Sequence, residues 1–196
     1  MDLTPITLEG QHVRLEPLSH SHFEQLCEVG VDEQLWKLTT TVIKTSEDMK
    51  NYLSTALQWQ SEGTALPFAI IEKESGKAIG STRYGNIDIV NRRLEIGWTW
   101  VARTWQRTAV NTETKYLLLK HAFETVGCIR VEFKTDSRNE QSRKALLRIG
   151  AKEEGIFRNH MITPIGRLRH SVYYSIIDSE WNDVKKRLEE KLNRHG

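Results

Sequence analysis

This 196-residue chain has two cysteines, no long apolar run and almost no net charge. Cys27 and Cys128 lie far apart, and neither belongs to a CxxC pair, so both read as buried thiols. No segment approaches the roughly 18 consecutive apolar residues that a membrane helix needs. The opening MDLTPITLEG lacks the basic start and long apolar core of a secretory signal. A cytoplasmic protein with no membrane partner is therefore expected. The net charge is only +2. The basic groups are interleaved with acids, as in KKRLEEKLNR, which reads as a solvated helix face. A nucleic-acid partner would call for a concentrated basic stripe, and none is expected. Low-complexity segments, repeats and linkers are also missing. The length suits a single domain over residues 1–196. Hydrophobic residues at 38% and charged residues at 28% fit a folded domain, not a disordered one.

Periodicity supplies the elements. His12 to Leu18 alternates as a strand. Ser21 and Glu24 have the spacing of a capping box ahead of Phe23, Leu26 and Cys27, so a short helix follows. Thr45 opens a second helix carrying Met49, Leu53 and Ala56, and Gly63 ends it. Leu66–Glu72 and Ala78–Tyr84 are predicted as a hairpin around Ser75-Gly76. Arg93–Val101 is the next strand, and Thr112–Val126 a helix stopped by Gly127. Arg130–Thr135 is a strand. Asn139 caps a helix ending at Gly150. Lys152–Phe157 and Ser171–Ile177 are strands around a polar loop. Ser179 caps a last amphipathic helix with Trp181, Val184, Leu188 and Leu192 on one face. The order β-α-α-β-β-β-α-β-α-β-β-α predicts an α+β fold. Its central sheet is mixed but mostly antiparallel and is flanked by helices, with strand direction switching between Arg93 and Thr135. Ligands favour such switch points.

The stretch from Leu94 to Phe123 carries the strongest functional signal. A strand runs into the turn Gln106-Arg107-Thr108-Ala109-Val110-Asn111 and then into a helix. That turn can aim backbone N–H groups and a helix N-terminus at an anion, so a phosphate-bearing cofactor is the ligand to test.

The element order together with these residues resembles the GCN5-related N-acetyltransferases (GNAT). The nearer likeness is to the branch that acetylates ribosomal-protein N-termini. The likeness runs from LEGQHVRLEPL to SVYYSII. The family turn has the pattern Gln/Arg-x-x-Gly-x-Gly/Ala. Gln106 fills its first position, and Ala109 and Asn111 stand where glycines are usual. A second stretch, Asp136 to Ser142 ending in Ile149-Gly150-Ala151, looks like the N-x-x-S…G-A/F segment of that branch.

The resemblance implies an acetyl-CoA-dependent acyltransferase that moves an acetyl group to a primary amine by direct attack in a ternary complex. The acceptor would be a protein N-terminus or a small amine. It implies coenzyme A contacts at Trp100, Val101, Gln106, Arg107, Thr108, Ala109, Val110, Asn111 and Thr112. Asn139 and Ser142 would lie beside the pantetheine arm. Asn139 is also a good N-cap in any fold. By likeness Glu95 is the base acting on the amine; otherwise it is a strand-end carboxylate paired with Arg83, Arg92 or Arg93. Strand alternation puts Glu95, Gly97 and Thr99 on one face, and Leu94, Ile96, Trp98 and Trp100 on the other. The leaving thiolate has Ser142 as a candidate partner, with Tyr84 and Tyr116 as alternatives. Trp36, Tyr84 and Glu95 are the expected acceptor-side residues. His20-x-His22 is the only close histidine pair, so no metal is expected. The oligomeric state is monomer or homodimer. The rival reading is a non-catalytic acyl-CoA-binding domain, suggested by the replaced glycines.

Overall fold

The computed structural model describes residues 1–194. Eight strands form one sheet: β1 (Leu8–Glu9), β2 (Val13–Pro17), β3 (Leu66–Glu72), β4 (Ala78–Asp88), β5 (Arg93–Val101), β6 (Arg130–Asp136), β7 (Lys152–Ile162) and β8 (Leu168–Ile177). Their spatial order is β1-β2-β3-β4-β5-β6-β8-β7. Every pairing is antiparallel except β5 with β6. The mixed, mostly antiparallel α+β sheet is as expected.

Six helices pack on the sheet: α1 (Phe23–Gly30), α2 (Glu33–Trp36), α3 (Ser46–Ser61), α4 (Ala109–Lys120), α5 (Glu140–Arg148) and α6 (Asp178–Leu192). One face of the sheet contributes Leu15, Phe68, Leu94, Ile96, Val131 and Phe133 to a core shared with Leu118 of α4 and Trp181 of α6. The opposite face contributes Ala69, Ile71 and Trp100 to a second core with Leu26, Trp36, Met49 and Leu53. Burying each large apolar side chain contributes about 1.5–3 kcal/mol, so these two layers fix the sheet between its helices.

Local signals explain most boundaries. At α3, Thr45 Oγ1 accepts from Asp48 N–H at 3.1 Å and the Asp48 carboxylate accepts from Thr45 N–H at 2.9 Å, a reciprocal cap. Gly127 stops the helix after α4 at φ 76°, a left-handed position that favours glycine. The first cap differs from expectation. Ser19, not Ser21, begins the helical turn, and His22 Nδ1 accepts its N–H at 3.2 Å. The last helix starts at Asp178, with Glu180 accepting from Ile177 N–H at 3.2 Å, so Ser179 lies inside it. Residues 121–125 widen into a π-helical turn, closed by Val126 N–H donating to His121 O at 2.9 Å. Glu113 of α4 is buried and accepts three N–H groups, from Gln11, His12 and Val13, each at 2.7 Å. That carboxylate ties the β1–β2 turn to the helix.

The simple alternation read from β5 fails at Trp98. One β4 residue lies between partners Ser81 and Arg83, whereas two β5 residues, Trp98 and Thr99, lie between their partners Gly97 and Trp100. Trp98 has φ 50°, the signature of a bulge. The extra residue flips the phase. Leu94, Ile96 and Val101 share one core, and Trp100 enters the other. Thr99 therefore parts from Glu95 and turns toward α4, where its hydroxyl accepts from Lys115.

Candidate functional site

The site is built on a fork in the sheet. Strands β5 and β6 pair only over Arg93–Glu95 and Arg130–Glu132. Beyond that point β5 stays with β4, and β6 stays with β8. The far edge of β5 is then unpaired. Ala102 N–H donates to Ile79 O at 2.8 Å, so alternation turns the Val101 N–H into the fork and the Trp100 N–H toward β4. Of the two expected backbone donors, Val101 is the one that faces the gap. The Trp100 side chain is core.

Above the fork sits the turn Gln106–Asn111. Its helix starts earlier than the sequence suggested: Thr108 is the N-cap of α4, and its Oγ1 accepts from Val110 N–H at 3.3 Å. Asn111 is thus inside the first helical turn. The left-handed residue is Arg107, at φ 63°. First-turn N–H groups have no intrahelical acceptor, and the helix dipole adds to their pull on an anion. Gln106 is anchored by its side chain, which donates to Val101 O at 3.1 Å. It also accepts from Gln141 of α5 at 3.3 Å. That contact brings the N-termini of α4 and α5 together across the fork. Thr112 is buried and its Oγ1 accepts from Arg148 at 3.3 Å. Asn139 caps α5 by accepting from Ser142 N–H at 3.0 Å. Ser142 is half-buried, and its hydroxyl is free of protein partners among the described residues.

Glu95 opens on the other face. It is 3% exposed, accepts from Asn86 Nδ2 at 2.7 Å and pairs with Lys134 Nζ at 3.3 Å. Its partner is Lys134, not Arg83, Arg92 or Arg93. Arg93 pairs with Asp88 and Glu132, and Arg92 donates to Gly127 O. Glu95 lines a cavity of about 950 Å³ with Asn86, Arg130, Phe157 and Tyr173. His160 stands beside Tyr173, and burial, with Lys134 and Arg169 nearby, holds its pKa below the usual value. Arg83 lies one strand away, 5.0–5.3 Å from the rings of Tyr52, Trp59 and Trp98. A Cβ on Gly85 would collide with the Trp98 ring, so glycine lets that indole lie flat on β4.

Three sequence candidates are removed from the site. Trp36 is 4% exposed, donates to Gly30 O at 2.8 Å and packs on Trp100 at 5.4 Å. It ends the short helix α2 and fills core. Tyr84 is fully buried on the α4 face, donating to Leu118 O at 2.6 Å; burial raises its pKa well above 10. Tyr116 donates to Glu189 of α6 at 2.8 Å, away from the fork. Of the cysteines, Cys128 is buried, with a thiol pushed up to about 11 by burial, and Cys27 is half-buried.

The sequence reading missed Lys134, Asn86 and Lys115. Lys115 had a visible signal: it interrupts the stripe Thr112, Lys115, Leu119, Ala122 that faces the sheet.

Residues 12–152 match the family described as the acetyltransferase (GNAT) domain. The chain belongs to that family. A solved GCN5-related N-acetyltransferase from Brucella melitensis is 31% identical, covers 97% of this chain and 86% of its own, and superposes with a TM-score of 0.90. The Bacillus subtilis (strain 168) protein named "Putative ribosomal N-acetyltransferase YdaF" is 34% identical over 111 residues, 56% of this chain and 59% of that protein. The match thus spans less than two thirds of that relative. The Mycobacterium smegmatis RimJ structure, in complex with CoA-disulfide, shares the fold at a TM-score of 0.82 and 22% identity. As a GNAT acetyltransferase the protein uses a fold that binds acetyl-CoA. No helix among the described residues is long and apolar enough to cross a membrane.

Proposed function

We propose that the protein transfers the acetyl group of acetyl-CoA to a primary amine by direct attack within a ternary complex. The observation that supports this most is the fork itself. An unpaired strand edge and two helix N-termini meet on one side, and a buried carboxylate in an open cavity stands on the other. A pyrophosphate suits the α4 N-terminus, where first-turn N–H groups and the dipole offset its charge. The pantetheine amides suit the free edge of β5. The Val101 N–H is aimed where the thioester oxygen would polarise. Asn139 and Ser142 bound the thiol end.

Glu95 then accepts the proton that the amine sheds on attack. The Lys134 ammonium and the Asn86 amide hold the carboxylate facing the cavity. The acceptor is a protein N-terminus or a small amine. The resemblance to the ribosomal-protein branch, and the name borne by YdaF, favour the N-terminus. Calorimetry with CoA, followed by thiol release against a panel of N-terminal peptides and small amines, tests the reading. Ala109→Glu puts a carboxylate against the pyrophosphate and should abolish CoA binding. A variant that keeps wild-type affinity would remove the α4 turn from the site. A protein that binds CoA but releases no thiol with any amine would point to the non-catalytic alternative.

A further inference from the structure

Lys115 is the most anomalous group in the fork. Its side chain is 5% exposed, and no carboxylate lies within ion-pair distance among the described residues. Its ammonium has three donors, and one is used: Nζ donates to Thr99 Oγ1 at 2.7 Å. Thr99 is itself bonded to Thr82 at 2.7 Å. On its other side Nζ lies 5.9 Å from the centre of the Phe133 ring. Thr99 sits on the β5 arm of the fork and Phe133 on the β6 arm. The ammonium therefore bridges the base of the gap. A desolvated, under-partnered ammonium is costly to keep in a core, and an apolar residue of the same length would cost far less. Two of its donors are left for a ligand that enters between the strands.

Resting on the acetyl-CoA reading above, we infer that Lys115 meets the thioester sulfur and protonates the leaving thiolate. The other candidates are spent or poorly suited. Tyr84 and Tyr116 are bonded elsewhere, and a serine hydroxyl such as Ser142 is too weak an acid. The step balances. The amine nitrogen bonds to the carbonyl carbon, and the carbon–sulfur bond breaks with its electron pair going to sulfur. A proton moves from Lys115 Nζ to that sulfur. The proton shed by the attacking nitrogen goes to Glu95. Exchange with solvent then resets both groups.

Protonation fits the role. Burial pushes the Lys115 pKa down to about 7, and only the Glu95 charge raises it. The side chains it touches, Thr99 of β5 and Phe133 of β6, are uncharged. On α4 itself Glu113 turns away to the β1–β2 turn, and Arg148 of α5 stops at Thr112. An acid of that strength gives up its proton readily at neutral pH.

The test needs no knowledge of the acceptor. CoA and CoA lacking its sulfur are titrated by calorimetry into wild-type protein, Lys115→Met and Lys115→Arg. A charge-assisted contact to sulfur should make the wild type prefer CoA by about tenfold or more. Lys115→Met should bind the two equally, and Lys115→Arg should keep the preference. With an amine found active in the panel, Arg at 115 should still fail to restore turnover, since it does not release a proton near neutral pH. Wild-type kcat should decline above pH about 7, a limb lost in Lys115→Met. Equal wild-type binding of the two ligands, an unchanged preference in Lys115→Met, or full turnover in Lys115→Arg would each overturn the assignment. If CoA itself fails to bind the wild type, the acetyl-CoA reading falls first. Should a Lys115 variant not fold, the preference must persist in Ser142→Ala, and its loss there would move the sulfur contact to Ser142 and overturn the assignment.

Discussion

Strands β3 and β7 show how differently the two halves of this sheet are built. Every residue of β3 is buried. Helices α1 and α3 cover one face, and α4 the other. Nearly every residue of β7 is exposed or half-exposed. Around it the sheet carries Glu95, Glu132, Lys134, Arg130 and Glu154 on a face that no helix covers. The closed half is a two-sided core, and the open half faces the proposed base, Glu95. Within the sheet they join through three parallel residue pairs between β5 and β6. A change in the core of the closed half should therefore be read in the melting temperature, and a change at Glu95 in turnover.

The largest expected effect lies at the junction. Removing a general base typically costs about 10²–10⁴-fold, so Glu95→Gln should lower kcat by that order while CoA affinity holds. The loss should shrink as pH rises, because free amine becomes abundant without help. Full activity of the variant across pH about 6 to 9, where such groups titrate, would leave catalysis to positioning and the backbone.

Trp36 tests the closed half. Truncating a buried tryptophan costs about 3–5 kcal/mol, so Trp36→Ala should lower the melting temperature strongly and leave the acceptor KM of the surviving folded enzyme unchanged. A variant with intact stability and a raised KM would return Trp36 to the acceptor pocket.

The same contrast explains what could be read from the chain. Alternation and helical spacing are reports of burial, and they worked where burial is one-sided and regular. The apolar stripe of α6 was legible for that reason, and the Thr45 helix start and the β3–β4 hairpin through their capping and turn residues. Glu95 and the α4 turn were singled out through resemblance, reinforced by their place between strand and helix, and their roles remain part of the proposal. What escaped depends on long-range register. The extra residue at Trp98 leaves no mark in a period-two pattern, yet it decides that Thr99 faces Lys115. Lys134 and Asn86 were invisible because their partner, Glu95, comes from another strand. Trp36 looked like a loop residue because its short helix has little period to detect.

Ser142 lies where the halves nearly touch through α5. Its hydroxyl has no protein partner among the described residues, so Ser142→Ala should leave the stability within about 0.5 kcal/mol of wild type. Turnover should fall several-fold, the size of one lost hydrogen bond of about 0.5–1.5 kcal/mol. A drop in melting temperature with wild-type turnover would make Ser142 a purely structural part of the α5 cap.

The smallest effect belongs to the open half alone. Arg130 donates to both oxygens of Glu154, and Ser175 donates to one at 2.7 Å, so β6, β8 and β7 are clamped in sequence. The Arg130 hydrogen bonds hold the Glu154 carboxyl down at about 2, below its ordinary value near 4.5. A lowered folded-state pKa means that the clamp contributes fully above the unfolded value and is lost as pH falls through about 2. Glu154 is 41% exposed, so solvent screening limits the contribution to less than about 1 kcal/mol. The stability gap between wild type and Glu154→Gln should therefore be small and constant above pH about 5. It should narrow between pH about 4.5 and 2. Turnover with a saturating acceptor should stay unchanged at neutral pH. A gap that persists undiminished at pH 2 would show that the side chain acts through packing against β8 and not through its charge. A large fall in turnover would show instead that the open face transmits its shape to Glu95, and the division between the two halves would not hold.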